Sequence, residues 1–270
     1  MTAEVPARTV PGMRGPDAER KRDGSRSSLV WDVLGEVIAA RVAQSGRAAL
    51  DIVDVGAGTG GLAVSMAGRG HRVTVVDPSP DALAAARWRA DEAGVALTVV
   101  QGEAVDLPAL VGEPGADGAG ADLVICHSVL EYVDSPQAAL AAVARVLRPG
   151  GTVSVLAANS VAAVLQRALA GKYAEARAML PGPAQAQAQA PAGGKGTARR
   201  FTLPELTALI EGAGLRVGDA HGIRIFSGLL PGAGADPATA EALRELEEAA
   251  ATCPPLRDIA ARLHVLADRA

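Results

Sequence analysis

Asp51-Ile-Val-Asp54-Val-Gly56-Ala57-Gly58-Thr-Gly60 is the stretch that decides the fold. Ile52–Val55 is a short apolar run, and glycines follow it at every second position. Such a run reads as a buried parallel strand. The glycines let the chain turn sharply and let a ligand press against bare backbone. A helix is expected at once, over Leu62–Arg69. Outward from this point the same alternation recurs. Strands are expected at Arg72–Val76, Leu97–Gln101, Asp122–His127 and Gly151–Ala157, with helices at Pro80–Ala93 and Pro136–Leu147 between them. Upstream, Leu29, Val33, Leu34, Val37, Ile38 and Val42 recur at helical spacing within Ser25–Ala43. Downstream, helices are expected at Val161–Ala170 and Leu203–Gly212, and Leu215–Asp219 and Arg224–Phe226 are candidate strands that complete the sheet. Alternating strands and helices call for a mostly parallel sheet covered on both faces. The expected class is therefore α/β: a Rossmann-like, doubly wound, seven-stranded sheet.

The 270 residues fit one large domain with additions. Residues 1–24 mix Pro, Gly and charge without periodicity and read as a flexible arm. The domain proper is expected over 25–270, with its core at 51–157 and a substrate-side cap at 159–230. Within the cap, 181–198 is a low-complexity loop of Gln-Ala steps, prolines and glycines, which has too little apolar surface to pack. Tail helices are expected over 237–266, the first ending near Ala251. Hydrophobic residues make up 49% of the chain and aromatics only 2%, so Ala, Val and Leu must do the packing. A net charge of −4 removes any global polycation signal for nucleic acid, although 159–230 is locally basic. Two cysteines, Cys126 and Cys253, make no disulfide framework. The chain starts without a leader-like apolar segment, and no apolar run reaches the length of a membrane span. A reducing cytoplasm is the expected compartment.

The glycine loop fixes where a ligand would sit, and neighbouring residues suggest which ligand. Asp54 is an acid at the strand end just ahead of Gly56, where it could hold an ammonium group directly or through water. The spacing is Gly-x-Gly-x-Gly across Gly56, Gly58 and Gly60, not the Gly-x-Gly-x-x-Gly of dinucleotide sites. Both details favour S-adenosylmethionine over a nicotinamide dinucleotide. Asp77 closes the next strand and can accept from both ribose hydroxyls in the crevice shared by adjacent strand ends. It could otherwise serve the helix that follows. Ala104 and Val105 follow the third strand and would place backbone against the adenine edge, with Glu103 either on the exocyclic amine or in solvent. His127 ends the fourth strand and is assigned to cofactor contact, not to proton transfer.

These motifs resemble the class I S-adenosylmethionine-dependent methyltransferase family, over about Asp51 to Ala157. A looser resemblance, over about residues 24 to 266, is to the bacterial tRNA 5-carboxymethoxyuridine methyltransferases. It rests on Gly24-Ser-Arg26 with Trp31, His127-Ser-Val-Leu-Glu131-Tyr132, Asn159, and Ala170-Gly171-Lys172-Tyr173. Leu209-Ile-Glu-Gly-Ala-Gly214, Gly222-Ile-Arg224-Ile-Phe226, and Leu243-Arg-Glu-Leu-Glu247 with His264-Val265 extend it. The resemblance implies methyl transfer to the carboxylate of a modified wobble uridine. It also implies that Arg26 holds the cofactor carboxylate, and that Gly56, Ala57, Asp77, Ala104, Val105 and His127 line the cofactor. The family's lysine-rich stretch is replaced here by the Gln-Ala loop, with only Lys195, Arg199 and Arg200 left.

A carboxylate acceptor is anionic at neutral pH and needs no general base, so no catalytic residue is assigned. It does need a cation for its second oxygen. Arg199, Arg200 and Arg224 are the candidates, because guanidinium suits bidentate contact. Arg199 and Arg200 could equally be solvated charge, and Asn159 either orients the acceptor or forms a turn. Tyr173 or Phe201 could stack a base or belong to the core. The expected partner is the methyl acceptor, tRNA or a small carboxylate, with no metal and no membrane. The rivals are a small-molecule O- or N-methyltransferase and a non-catalytic adenosyl-binding protein.

Overall fold

A computed structural model describes residues 28–115, 118–180, 198–230 and 236–270. The arm at 1–24, Arg26, Lys195 and all but the last residue of the low-complexity loop lie outside the described residues. In chain order the elements are α1 (Ser28–Ser45), β1 (Asp51–Val55), α2 (Gly61–Gly68), β2 (Arg72–Asp77), α3 (Pro80–Ala93) and β3 (Thr98–Gln101). Then come α4 (Leu107–Val111), β4 (Ala121–His127), α5 (Pro136–Val146), β5 (Leu147–Ala158), α6 (Ser160–Leu169) and α7 (Tyr173–Ala178). The chain finishes with α8 (Leu203–Gly212), β6 (Leu215–Ile223), α9 (Phe226–Leu229), α10 (Pro237–Ala250) and β7 (Arg262–Arg269). No described helix is long and apolar enough to cross a membrane.

The strands form one seven-stranded sheet in the order β3-β2-β1-β4-β5-β7-β6. All pairings are parallel except those of β7, which runs antiparallel to both β5 and β6. Side-chain alternation sends Ile52, Val73, Val75, Leu123 and Ile125 to one face, where they pack with α1, α2 and α3 through Leu34, Met66 and Leu83. Val53, Val55, Val76, Val124 and Cys126 go to the other face, against Leu140 and Val143 of α5 and Leu206 and Ile210 of α8. Both faces are covered, as the apolar strands require. Local chemistry sets the helix starts. Ser79 and Ser135 cap α3 and α5, each ahead of a proline, and Thr202 and Glu205 form a capping box on α8.

Two expected elements differ from the structure. Arg224–Phe226 is not a strand: β6 runs on to Ile223, Arg224 takes a left-handed backbone at φ 60°, and α9 begins at Phe226. The cause is Glu247 of α10. Its carboxylate accepts from the consecutive N–H groups of Ile225 (2.6 Å), Phe226 (3.0 Å) and Ser227 (2.8 Å) and draws this segment into a turn. The tail is not helical to residue 266. After α10 the chain re-enters the sheet as β7, which sends Leu263, Val265 and Ala267 into one core at every second residue. That period of two belongs to a strand.

The amino-terminal edge of the sheet is tied by ion pairs. Asp122, 1% exposed, meets Arg47 and Arg148, each at 2.9 Å, and Asp51 meets Arg72 at 2.6 Å. Paired carboxylates concentrate there, while the carboxyl edge keeps buried acids of a different kind.

Candidate active site

The strand order reverses between β1 and β4, so the loops after them splay apart and leave a crevice at their carboxyl ends. The glycine loop forms one wall. The Gly56 N–H donates to the Val76 carbonyl at 2.7 Å, which turns the chain off β1 toward β2. Gly56, Gly58 and Gly60 all have positive φ (62°, 54° and 72°). A Cβ on Gly56 would lie 2.6 Å from Val129, and one on Gly60 2.7 Å from Ala86, so both positions need glycine for packing as well as for backbone. Nothing lies within 4 Å of a Cβ built on Gly58. The middle glycine therefore faces open space, as a loop that cradles a ligand must.

Two acids stand at the strand ends beside this loop. Asp77, at the end of β2, accepts from the Gly58 N–H at 3.0 Å and the Ser79 N–H at 2.9 Å, one to each carboxylate oxygen. These bonds fix the carboxylate against the loop and leave lone pairs on both oxygens for further donors. Asp54 is 4% exposed. Burial, with the charge of Asp77 adding to it, pushes its carboxyl up to about 7. A buried acid held near neutrality is ready for a cation, which would restore the ionised form. Ala104 is buried and Val105 is exposed, in a single turn after β3. An exposed valine beside the crevice suits the flat face of an adenine.

His127 ends β4 and is half-buried. Its Nε2 lies 2.8 Å from Ser154 Oγ, and burial, with the charge of Arg262 adding to it, pulls its pKa down to about 3. The ring is neutral at physiological pH. The next residue, Ser128, takes a left-handed backbone at φ 59°. The donors and spaces fit adenosylmethionine group by group: acid for ammonium, carboxylate for ribose hydroxyls, apolar turn for adenine. Among the described residues, no cluster of His, Cys, Asp or Glu is arranged to hold a metal ion.

The residues singled out for the acceptor are dispersed. Asn159 is 1% exposed, and its amide hydrogens donate to the carbonyls of Asp258 (2.9 Å) and Ala260 (2.8 Å). Its Oδ1 accepts from Val161 and caps α6. These are the bonds of a turn-forming, helix-capping asparagine. Arg199 donates to the carbonyls of Val133 and Asp134 and clasps the turn after β4. Arg224 is exposed, and its carbonyl accepts from the Ala261 N–H at 3.2 Å. Phe201 is buried in the core, whereas Tyr173 is 72% exposed.

The sequence did not single out the polar centre of this region. Glu131 is 4% exposed. Its Oε1 accepts from the Ala158 N–H at 2.9 Å and faces Arg262 Nη2 at 3.5 Å, and its Oε2 is buried without a hydrogen-bond partner. Burial raises its pKa, opposed by its own and the Ala158 backbone N–H and by the charges of Arg262 and Arg200. Arg262 arrives on β7, a strand the sequence reading lacked, so its place beside Glu131 had no signal.

Comparison with known proteins agrees with this geometry. Residues 53–155 match a family model described as a methyltransferase domain. The chain is 30% identical over 158 residues to the tRNA 5-carboxymethoxyuridine methyltransferase of Escherichia coli (strain K12), a match that covers 58% of this chain and 57% of that protein. That alignment spans little more than half of the relative's length. The ubiquinone biosynthesis O-methyltransferase of Xanthomonas axonopodis pv. citri (strain 306) is 33% identical over 192 residues, 70% of each chain. The crystal structure of magnesium protoporphyrin IX methyltransferase from Synechocystis PCC 6803, with bound SAH, shares the fold at TM-score 0.55 and 15% identity, over 97% of this chain and 90% of that one. With the glycine loop, its two acids and a relative matched across two thirds of its length, the chain belongs to the class I S-adenosylmethionine-dependent methyltransferase family.

Proposed function

We propose that this chain transfers the methyl group of S-adenosylmethionine to a carboxylate, that of a modified wobble uridine in tRNA. The observation that carries the reading is the set of cations at the carboxyl edge. The charges of Arg200 and Arg262 both bear on Glu131, and Arg224 lies at the end of the adjacent strand β6. Similarity to a tRNA 5-carboxymethoxyuridine methyltransferase supports the choice of acceptor. Bound adenosylmethionine supplies a methyl carbon on a positively charged sulfur, a leaving group that is already activated. The protein then has to hold, align and dry the reactants, and positioning alone can supply much of the acceleration. Asp77 holds the ribose and Asp54 the ammonium. Gly56, Ala57 and Gly58 let the cofactor lie close to backbone, and Ala104 and Val105 cover the adenine. His127 contributes a neutral contact, and Arg26 is proposed for the cofactor carboxylate. Arg200 and Arg262 take one oxygen of the acceptor carboxylate while the other attacks. Asn159 and Arg199 shape the surrounding loops. An acceptor that is already anionic requires no proton transfer, so a neutral His127 is no handicap.

A second reading is favoured by one feature. Glu131 combines a raised pKa with an unpartnered buried oxygen, the properties of a base for a hydroxyl acceptor. The relative matched over 70% of its length is a ubiquinone biosynthesis O-methyltransferase. Labelled-methyl transfer to bulk tRNA and to a panel of small phenols and carboxylic acids separates the two. Incorporation into tRNA, with affinity falling steeply as salt rises, supports the first reading. Incorporation into small phenols alone, insensitive to salt and abolished by Glu131→Gln, replaces it with the second.

A further inference from the structure

We infer that Ser154 and His264 act as positioning residues that lock His127 in one neutral tautomer, with its hydrogen on Nδ1. The inference rests on the cofactor site proposed above. Its basis is a polar chain that crosses three strands on one face of the sheet beneath α1. Ser154 Oγ of β5 lies 2.8 Å from His127 Nε2 of β4 and 2.8 Å from His264 Nε2 of β7. His221 of β6 stacks on His264 with ring centroids 5.5 Å apart, and His127 meets His264 edge-on at 5.8 Å. Ser154 and His264 have no exposed surface.

The hydrogens can be counted. A serine hydroxyl has one hydrogen and can donate to only one of the two rings. Both rings are neutral, because burial lowers the pKa of His127 and of His264. One ring must therefore carry its hydrogen on Nε2 and the other on Nδ1. The Nδ1 of His264 is buried and has no partner. If it bore the hydrogen, a donor would be stranded in the core, and stranded N–H groups are rarer than stranded acceptors. So His264 donates from Nε2 to Ser154, and Ser154 donates to His127 Nε2. His127 is left with a hydrogen on Nδ1.

The two nitrogens of an imidazole point nearly opposite ways. With Nε2 turned toward β5, Nδ1 turns toward β1, where the glycine loop stands. His127 then offers the crevice a hydrogen-bond donor without a positive charge, suited to an acceptor oxygen or ring nitrogen of the cofactor. An imidazolium there would oppose a sulfonium. The other charged groups that bear on the cluster are Glu36 of α1, Asp219 of β6, Arg257 of the turn before β7, and Arg262.

The test is the two-bond nitrogen–proton spectrum of the histidine rings in the full chain without cofactor, assigned by single substitutions among the four histidines. The result expected is His127 as the Nδ1–H tautomer, unprotonated from pH 5 to 8, and a mixture of tautomers in Ser154→Ala. Calorimetric affinity for adenosylmethionine should fall about tenfold in that variant. His127 as the Nε2–H tautomer or as an imidazolium in the wild type would overturn the inference. So would a tautomer that Ser154→Ala leaves unchanged, or an altered tautomer with unaltered affinity. Wild-type protein that fails to bind adenosylmethionine at all overturns the underlying cofactor reading instead, and the spectrum is read independently of it.

Discussion

Replacing Asp54 with asparagine should make the protein more stable and a poorer cofactor binder at once. The wild-type carboxyl is held at about 7 in place of the ordinary 3.8, by burial and by the charge of Asp77. Below pH 4 the group is protonated whether the chain is folded or not, and it costs nothing. Between pH 4 and 7 the unfolded chain ionises Asp54 while the folded chain keeps it protonated, so folded stability falls as pH rises. At about 1.4 kcal/mol per pH unit, the full penalty above pH 7 is on the order of 4 kcal/mol. The amide has the same shape and no charge to bury. Urea unfolding followed by tryptophan fluorescence should find Asp54→Asn more stable than wild type at pH 8. The margin should exceed that at pH 5 by about 2–3 kcal/mol, since two pH units of the ionisation range lie between them. Calorimetry at pH 8 should find adenosylmethionine bound at least about tenfold more weakly, because the ammonium has lost its counter-charge. A margin that does not change with pH, or a variant less stable than wild type at pH 8, would refute the reasoning. Either result would mean that Asp54 does not carry a buried ionisation penalty.

Three further perturbations have distinct signatures. Asp77→Ala should weaken adenosylmethionine and adenosylhomocysteine alike by about 1–3 kcal/mol in calorimetric titration, the cost of stranding ribose hydroxyls. Unequal losses would place Asp77 on the sulfonium side. Gly60→Ala should lower stability in urea unfolding by about 1–3 kcal/mol, because its Cβ would sit 2.7 Å from Ala86 on a backbone at φ 72°. Asn159→Ala should cost about 2–4 kcal/mol of stability through one lost helix cap and two stranded carbonyls, yet leave cofactor affinity within about twofold. A stable Asn159→Ala protein with lost methyl transfer would return Asn159 to the acceptor site.

What the sequence disclosed and what it hid divide by distance along the chain. The loop from Asp54 to Gly60 was legible because glycine marks positive φ locally, and Asp77 because strand two ends on it. The alternation of strands and helices was legible because a fully buried strand must be apolar throughout. Arg224–Phe226 looked like a strand because Ile225 is apolar, yet a carboxylate some twenty residues away at Glu247 decides its shape. In Arg262–Arg269 the apolar run Val265-Leu266-Ala267 blurs the alternation and reads as helix, and nothing local says that the segment enters the sheet between β5 and β6. Asn159 reads from sequence as an acceptor contact or as a turn, and its bonds to carbonyls 99 and 101 residues away lie beyond any local signal. The Ser154–His264 contact spans 110 residues, and no spacing rule reaches that far.

The placement of β7 also orders events during synthesis. It is made after β6, yet it lies between β5 and β6, so within the sheet β6 has no neighbour to pair with until β7 is made. The half of the sheet from β3 to β5 is complete in sequence by Ala158, and its four mutual pairings need nothing made later, while the outer edge of β5 waits for β7. Domains and their parts can fold as the chain emerges, and long-range pairings come late. The crevice for the cofactor can therefore take shape on a chain still under construction. Glu131, which waits for Arg262, and Asn159, which waits for the carbonyl of Ala260, settle only when β7 and the turn before it arrive. The strands that carry the glycine loop and Asp77 would thus be paired before Ser154, Glu131 and Asn159 gain their last partners.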